Sequence, residues 1–382
     1  MRTLCALMLF CIHATFGQET IFDKKVTLYD EILEVPDIRR YEEVLDIFGR
    51  YELVDGVNLW VEQTGRGVPM VMVSGGPGTS HHYFHPHYAD FRDKAKIIFY
   101  DQRGVGLSER NPGSEGYSVM QAVEDLEKLR QKLGYEQWIV NGLSFGGAIA
   151  LLYAIKYPER MLGMVLVSSV LPMSVDIGLG SRQFDYMSEE EQARIRSIYT
   201  IAGERVRPVH TELVPEGLQR SMLFNAFMNG DWKRRHVSRW TTEDIAVYAK
   251  YELVHDKGYY ATMLEDYFRY DLIDLFKECP IPTIILEGEW DLAYSAKKPE
   301  MMRNQFPLAN YVWIKDAGHI PYEEKPEPFF DALSDFVLND AKGADKKLLQ
   351  KWKASVSQKN IQKENKAQNA NFNLTRQESR NE

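Results

Sequence analysis

The chain of 382 residues contains few cysteines and no internal repeat. Only three cysteines are present, and two of them, Cys5 and Cys11, fall within the first 17 residues. Without those 17 residues, Cys279 is the one cysteine left, and a single cysteine cannot form an intramolecular disulfide. The fold must therefore be stabilised by its hydrophobic core rather than by covalent bridges.

A membrane-spanning apolar run is also lacking at the N-terminus. The apolar stretch from Leu4 to Phe16 follows Arg2 and is too short to cross a bilayer. Its length and flanks are typical of a secretory signal, with cleavage expected after Gly17. We predict a signal peptide over residues 1–17 and a secreted or periplasmic protein without stable membrane insertion. An uncleaved N-terminal anchor is the alternative.

A net positive charge is lacking outside the C-terminal segment. The formal net charge is −9 at pH 7, although residues 341–382 carry ten lysines and arginines against four acidic residues. The rest of the chain is therefore strongly acidic, which argues against nucleic-acid binding. Because the segment 341–382 is basic and poor in apolar residues, we predict a disordered tail there, with one frayed helix at its start.

Apolar strand-like segments alternate with helical segments over most of the remaining chain. Residues 51–65 read as a hairpin, because Asp55-Gly56 is a favoured two-residue turn. The other predicted strands are 69–74, 96–101, 137–142, 164–169, 282–288 and 310–316, and the clearest helices are 118–134 and 146–158. This alternation predicts an α/β fold with a mostly parallel sheet and helices on both faces.

The alternation is interrupted between residues 172 and 276, where the pattern is helical, charged and aromatic. A helical cap inserted before the last two strands would cover the carboxyl edge of the sheet, where open α/β sheets bind ligands. The predicted core therefore comprises residues 40–171 and 277–340, and the predicted cap comprises residues 172–276.

A G-x-S-x-G motif lies between a predicted strand and a predicted helix. Its residues are Gly142, Ser144 and Gly146, with Leu and Phe between them. A tight strand–turn–helix connection lifts the serine hydroxyl above the sheet, and the flanking glycines avoid side-chain clashes. The motif therefore predicts Ser144 as a nucleophile.

A serine nucleophile requires a histidine base and an acid that orients the histidine. With a nucleophile on such a turn, the chain order is serine, then acid, then histidine. His319 is the one histidine that lies beyond the predicted cap, just after the last predicted strand. Asp291, which follows the preceding strand, is the expected acid, and Glu287 and Asp316 are its rivals.

A Gly-Gly-Pro-Gly loop, residues 75–78, ends the first parallel strand. Glycine is required where the backbone approaches another group closely. In hydrolases with this serine turn, one oxyanion N–H follows the nucleophile and the second comes from the loop after an earlier strand. We therefore predict that the N–H groups of Gly76 and Phe145 bind the substrate oxyanion, with Gly75 beside them.

Five motifs together carry a family resemblance: SGGPGTSH (74–81), DQRGVGLS (101–108), GLSFGG (142–147), GEWD (288–291) and GH (318–319). Over roughly residues 40–340 the chain resembles the proline iminopeptidase branch of the α/β-hydrolase superfamily. The resemblance implies an α/β-hydrolase fold and cleavage of N-terminal residues, often proline, from short peptides. It also implies that no metal or organic cofactor is needed.

The resemblance further implies where the substrate amine would bind. This chain departs from the family pattern at two positions, one in the cap and one before the glycine loop. Family aminopeptidases often use two glutamates in the cap, and Glu252 matches the second of them. The first would follow Trp240, where this chain has Thr241, and Glu243 is the candidate replacement. Ser74 stands where a histidine usually precedes the glycine loop.

Three interpretations of function remain open at this stage. The first is a serine hydrolase that acts as an aminopeptidase on short peptides. The second keeps the same three catalytic residues but acts as an esterase or amidase on small acyl substrates, and Thr241 is its best support. The third is a non-catalytic ligand-binding protein with a hydrolase fold.

A histidine-rich segment raises the question of a metal. Four histidines lie within seven residues, namely His81, His82, His85 and His87. Pro86 disrupts the spacing, and no accompanying carboxylate–cysteine pattern is present, so we predict no metal ligands here.

Overall fold

A computed structural model describes residues 49–110, 116–170, 258–289, 291, 297–315 and 317–359. The predicted signal peptide and the part of the cap before residue 258 lie outside the described residues. Within the described ranges, no helix combines the length and apolar character that crossing a membrane would require.

The described strands and helices follow the alternation expected from the sequence. The strands are β1 (Gly49–Val54), β2 (Val57–Gly65), β3 (Val68–Val73), β4 (Ala95–Tyr100), β5 (Trp138–Leu143), β6 (Met161–Val167), β7 (Thr283–Gly288) and β8 (Asn310–Ile314). The α-helices are α1 (His85–Tyr88), α2 (Val119–Leu133), α3 (Gly146–Lys156), α4 (Tyr259–Tyr267), α5 (Lys298–Gln305), α6 (Pro321–Glu324), α7 (Pro326–Asp335) and α8, residues 346–359.

All eight strands belong to one sheet in the order β1-β2-β4-β3-β5-β6-β7-β8. The first two pairings, β1 with β2 and β2 with β4, are antiparallel, and every later pairing is parallel. The prediction of a mostly parallel sheet is therefore confirmed. Because β3 and β5 to β8 are parallel, the segments that follow them leave the sheet at the same edge.

Local sequence signals account for several element boundaries. Asp55 and Gly56 both have positive φ angles, 49° and 79°, as a two-residue hairpin turn requires. Helix α2 begins after Ser118, whose hydroxyl accepts a hydrogen bond from the Gln121 N–H at 3.0 Å. It ends at Gly134, which has the left-handed conformation common at helix C-termini.

The core lies on both faces of the sheet, because successive side chains of a strand point to opposite faces. In β3, Val71 and Val73 pack into one buried cluster, and Met70 and Met72 pack into the other. The first cluster includes apolar residues of α2, α3, α4 and α8, and the second includes residues of α7 and the 81–93 segment. The predicted covering of both faces by helices is confirmed.

The predicted disorder is wrong for residues 341–359, and the helix expected at the start of the tail is packed rather than frayed. Residues 346–359 are helical, and Leu349, Trp352 and Val356 of this helix are buried in the core. The Trp352 indole N–H donates to the Leu275 carbonyl at 2.7 Å. These three apolar residues recur on one helical face, and a count of charges alone does not detect that pattern.

Replacing Trp352 with alanine should destabilise the whole protein. Loss of a buried tryptophan leaves a cavity in the core and should lower the free energy of unfolding by about 3–5 kcal/mol. Urea unfolding of Trp352→Ala measures this change. The matched control is Leu348→Ala on the same helix, because Leu348 is exposed and its loss should cost less than about 0.5 kcal/mol. Equal stability of both variants would contradict the docking of α8.

Candidate active site

The predicted turn around Ser144 is present between β5 and α3. Ser144 has φ 51°, in the left-handed region that a residue with a side chain rarely occupies. Its N–H donates to the Val167 carbonyl at 2.9 Å, and its carbonyl accepts from the N–H groups of Gly147 and Val170 at 3.0 and 3.1 Å. These bonds tie the turn to the end of β6 and hold the strained conformation in place.

The glycine loop after β3 lies directly against this turn. A Cβ atom added at Gly75 would lie 2.7 Å from the Leu143 carbonyl oxygen, 3.0 Å from Ser144 Cβ and 3.4 Å from the Phe145 nitrogen. Any larger residue at position 75 would therefore displace the backbone of the turn. The structure brings together the two segments that carry the predicted oxyanion donors, Gly76 and Phe145.

The segment after β3 is also connected to the described part of the cap. The Gln102 amide donates to the Ser74 carbonyl at 2.9 Å and lies 3.3 Å from the Ser74 hydroxyl. The Tyr259 hydroxyl, at the start of α4, donates to the Gln102 side-chain carbonyl at 3.0 Å. Ser74, which replaces the usual histidine, is thus held by Gln102.

Asp291 and His319 are in contact at the carboxyl edge of the sheet. Asp291 follows β7, His319 follows β8, and the Asp291 Oδ1 atom lies 3.0 Å from His319 Nδ1. Both residues are buried, with 8% and 9% of their surfaces exposed. The turn that carries Ser144 leaves the same edge of the sheet, so the three predicted catalytic residues share one edge.

Glu324 holds the loop that carries His319. Its Oε2 atom accepts from the Gly318 N–H at 2.7 Å, and its Oε1 atom accepts a longer bond, 3.4 Å, from the Ile320 N–H. The backbone on both sides of His319 is therefore bound to one carboxylate. Sequence analysis did not identify this residue; its signal is an acidic side chain in a short helix that starts at Pro321, directly after the loop.

The rival acid Glu287 pairs with a lysine. Its Oε2 atom lies 3.0 Å from the Nζ atom of Lys298, and this Nζ lies 3.6 Å from Asp291 Oδ2. Burial raises the pKa of Glu287 to about 7, with a smaller contribution from the Asp291 charge, while Lys298 opposes the shift. The sequence analysis did not single out Lys298, and the other rival, Asp316, lies outside the described residues.

The predicted substrate-binding residues of the cap, Trp240, Glu243 and Glu252, also lie outside the described residues. Their positions relative to Ser144 are therefore predictions from the sequence alone.

A buried charge network lies behind the glycine loop. His81 Nδ1 is 2.8 Å from Asp101 Oδ1, and His81 Nε2 is 3.0 Å from Glu62 Oε1. The other oxygen of Asp101 accepts the Leu107 N–H at 2.7 Å. Burial alone would lower the pKa of His81, but the charges of Asp101 and Glu62 outweigh it and raise the pKa to about 10. His81 is therefore protonated at neutral pH and joins β2, β4 and the loop after β3.

Part of this network is compact enough to be considered as a metal site. Ligand atoms of Glu62, His81 and His85 all lie within 4.8 Å of one another. However, Glu62 Oε1 already accepts the Trp60 indole N–H at 2.7 Å, and the two ring nitrogens of His81 already face carboxylate oxygens at 2.8 and 3.0 Å. The contacts favour a salt-bridged network over an ion.

A strained serine turn beside a glycine loop, and an acid–histidine pair on the same sheet edge, define the class as a hydrolase built on a mostly parallel sheet. The sequence matches the alpha/beta hydrolase fold family over residues 68–326, more than half of the chain. The chain belongs to this family.

Among curated proteins, the chain is similar to proline iminopeptidases. It is 23% identical over 292 residues to the proline iminopeptidase of Saccharolobus solfataricus, and the match covers 75% of this chain and 91% of that relative. It is 28% identical over 302 residues to that of Neisseria meningitidis serogroup B, covering 72% and 90%. The resemblance stated from the motifs is therefore confirmed.

Among solved structures, a thermophilic esterase from Thermogutta terrifontis superposes with a TM-score of 0.56 at 21% identity, covering 77% of this chain and 99% of the esterase. At this level of identity the likeness establishes the fold alone.

Replacing His81 with glutamine should destabilise the protein in a pH-dependent way. The change leaves two buried carboxylates without their cation and should cost about 3–5 kcal/mol at pH 7. Because the pKa of His81 is raised from 6.5 to about 10, its stabilising charge is fully present below about pH 6.5 and is lost as the pH rises through about 10.

The difference in unfolding free energy between wild type and His81→Gln should therefore shrink from pH 7 to pH 10, as measured by urea unfolding. His87→Gln is the matched control, because His87 is partly exposed and lies 4.0 Å from Glu323. A His81→Gln penalty that stays constant over this pH range would contradict the charged network.

Proposed function

We propose that the protein is a serine hydrolase in which Ser144 is the nucleophile, His319 the general base and Asp291 the residue that orients His319. The observation that carries the proposal is the 3.0 Å contact between Asp291 Oδ1 and His319 Nδ1 at the sheet edge where the strained Ser144 turn lies. An acid on Nδ1 places the proton there and leaves Nε2 as the basic nitrogen.

The reaction follows from these roles. His319 Nε2 takes the hydroxyl proton of Ser144 as Oγ attacks the substrate carbonyl carbon, and the carbonyl oxygen becomes an oxyanion. The N–H groups of Gly76 and Phe145 are the proposed donors to that oxyanion. His319 then donates its proton to the departing amine as the carbon–nitrogen bond breaks. His319 next takes a proton from water as the water oxygen attacks the acyl carbon. The bond between that carbon and Ser144 Oγ then breaks, His319 returns the proton to Oγ, and the carboxylic acid leaves.

The proposed substrates are short peptides with a free N-terminus, from which the first residue is removed. The similarity to curated proline iminopeptidases supports this class. A protonated amine would be recognised by a negative charge, for which Glu252 is the main candidate, with Glu243 and Trp240 beside it. The proposed chemistry uses no metal or organic cofactor.

A second candidate function is the hydrolysis of small acyl esters or amides by the same three residues. It is favoured by Thr241, which stands where family aminopeptidases carry the first of two amine-binding glutamates. The two functions differ in whether a free substrate amine is required.

Removing the Ser144 hydroxyl should abolish turnover without unfolding the protein. Loss of the nucleophile in such a triad lowers kcat by about 10⁶-fold. A fluorophosphonate probe should label the wild type and fail to label Ser144→Ala. Ser108→Ala is the matched control, because that buried hydroxyl donates to the Asp101 backbone carbonyl and takes no part in the proposed reaction. Activity of Ser144→Ala within tenfold of wild type would refute the assignment, and an unlabelled wild type would favour a binding protein.

Glu252→Gln should separate the two candidate functions. A charge-assisted hydrogen bond to the substrate amine is worth about 1.5–3 kcal/mol, or roughly 10- to 150-fold. We expect kcat/KM for a proline arylamide with a free amine to fall by about that factor, while kcat/KM for a small neutral ester stays near wild type.

The matched control for this experiment is Glu265→Gln, an exposed glutamate on α4. It should leave kcat/KM for both substrates unchanged. Equal losses on both substrates would mean that Glu252→Gln damages the cap. No loss on either, or a wild-type preference for N-acylated substrates, would favour the esterase or amidase function.

A further inference from the structure

Lys298 is a buried cation next to the proposed catalytic pair. It is the first residue of α5, and only 2% of its side chain is exposed. Its Nζ atom reaches back toward the end of β7, to Glu287 Oε2 at 3.0 Å and Asp291 Oδ2 at 3.6 Å. Because a buried ammonium group is costly unless paired, this position requires both carboxylates to be close.

The two oxygens of Asp291 therefore face different partners. Oδ1 contacts His319, and Oδ2 faces Lys298, so the acid is held from both sides. The second carboxylate, Glu287, is fully buried on β7 and directs Oε2 toward the same ammonium group. Glu287, Lys298, Asp291 and His319 form a continuous row of alternating acidic and basic groups.

We propose that Lys298 and Glu287 are positioning residues, which hold the second oxygen of Asp291 and set the pH range in which His319 can accept a proton. This inference rests on the proposed serine hydrolase function. Neither residue contacts the reacting atoms in the proposed reaction, so both would act through Asp291.

The net charge behind His319 depends on the protonation of Glu287. With Glu287 ionised, two carboxylates and one ammonium give a net charge of −1, and with Glu287 protonated the net charge is zero. The pKa of Glu287, raised mainly by burial to about 7, places this change near neutral pH. As the pH falls, Glu287 takes up a proton, the field at His319 becomes less negative, and protonation of His319 becomes harder.

Tyr311 and Arg303 are two further ionisable side chains near Glu287 within the described residues. Tyr311 on β8 has a buried hydroxyl, and burial, together with the charges of Glu287 and Asp291, keeps its pKa well above the ordinary value. It is therefore neutral over the relevant pH range. Arg303 on α5 lies over the Tyr311 ring, 4.3 Å from the ring centroid, and stays charged throughout. Neither of these two groups changes its charge near pH 7, whereas Glu287, whose pKa burial raises to about 7, does.

The test compares variants that change the charge in opposite directions. Glu287→Gln fixes the neutral state, and Lys298→Met removes the cation and leaves Asp291 as the main charge. We expect the acid limb of the kcat/KM profile to move to lower pH in Glu287→Gln and to higher pH in Lys298→Met, with the two variants about one pH unit apart. Lys298→Arg keeps the positive charge, so its acid limb should lie at nearly the same pH as that of the wild type.

Matched controls are available beside Lys298. Lys297→Met and Glu300→Gln remove exposed charges next to and two residues beyond Lys298, and should leave the limb unchanged. If Lys298→Met does not fold, the double variant Glu287→Gln/Lys298→Met replaces the whole pair by neutral groups of similar size, a change that buried pairs often tolerate. The acid limb of the kcat/KM profile of this double variant should also move to higher pH.

A second readout does not depend on turnover. The NMR signal of the His319 imidazole can be assigned in the full chain by its loss in His319→Asn. This signal should titrate at lower pH in Glu287→Gln and at higher pH in Lys298→Met. Movement of both variants in the same direction, or of neither, would overturn the inference. Failure of the hydrolase function itself would instead appear as an unlabelled Ser144 in the wild-type fluorophosphonate experiment.

Discussion

A protonated histidine buried between two carboxylates holds together the segments on which the candidate site depends. His81 contacts Asp101 at the end of β4 and Glu62 on β2, and it belongs to the segment that follows the glycine loop. Each of the three ionised groups would be costly to bury alone, and together they offset that cost only in one geometry. The glycine loop is therefore restrained where Gly75 packs against the Ser144 turn.

Acidic and basic side chains also form the row that ends at His319, near β7 and β8. The surroundings of His319 differ from those of His81. The carboxylates of Asp101 and Glu62 face the two ring nitrogens of His81 and keep it charged, although its side chain is completely buried. His319 has Asp291 on Nδ1 and lies at the sheet edge, with its side chain 11% exposed. A histidine fixed in one charge state suits a structural role, whereas a proton carrier must be able to change state.

Particular residues show how far the sequence could predict this arrangement. The alternating apolar segments predicted all the parallel strands, because a buried strand needs a continuous apolar run. The serine turn was predicted from its motif, and Asp291 and His319 were predicted from their order along the chain. The motif and the order both follow from how consecutive strands of the sheet are connected. Glu324 and Lys298 were not singled out, because their contacts are made by side chains that carry no local motif. The helix at 346–359 was expected only as a frayed one, because basic residues surround the three apolar positions that the structure buries.

The sequence by itself determined the sheet, the serine turn and the order of the candidate catalytic residues, because these depend on local patterns and on the direction in which the strands run. Only the tertiary structure shows that Asp291 contacts His319 and that a buried lysine faces the other oxygen of this acid. It also shows what surrounds His81. Those choices depend on distances of a few ångströms between segments far apart in the chain. Burial then decides which of these groups can stay charged.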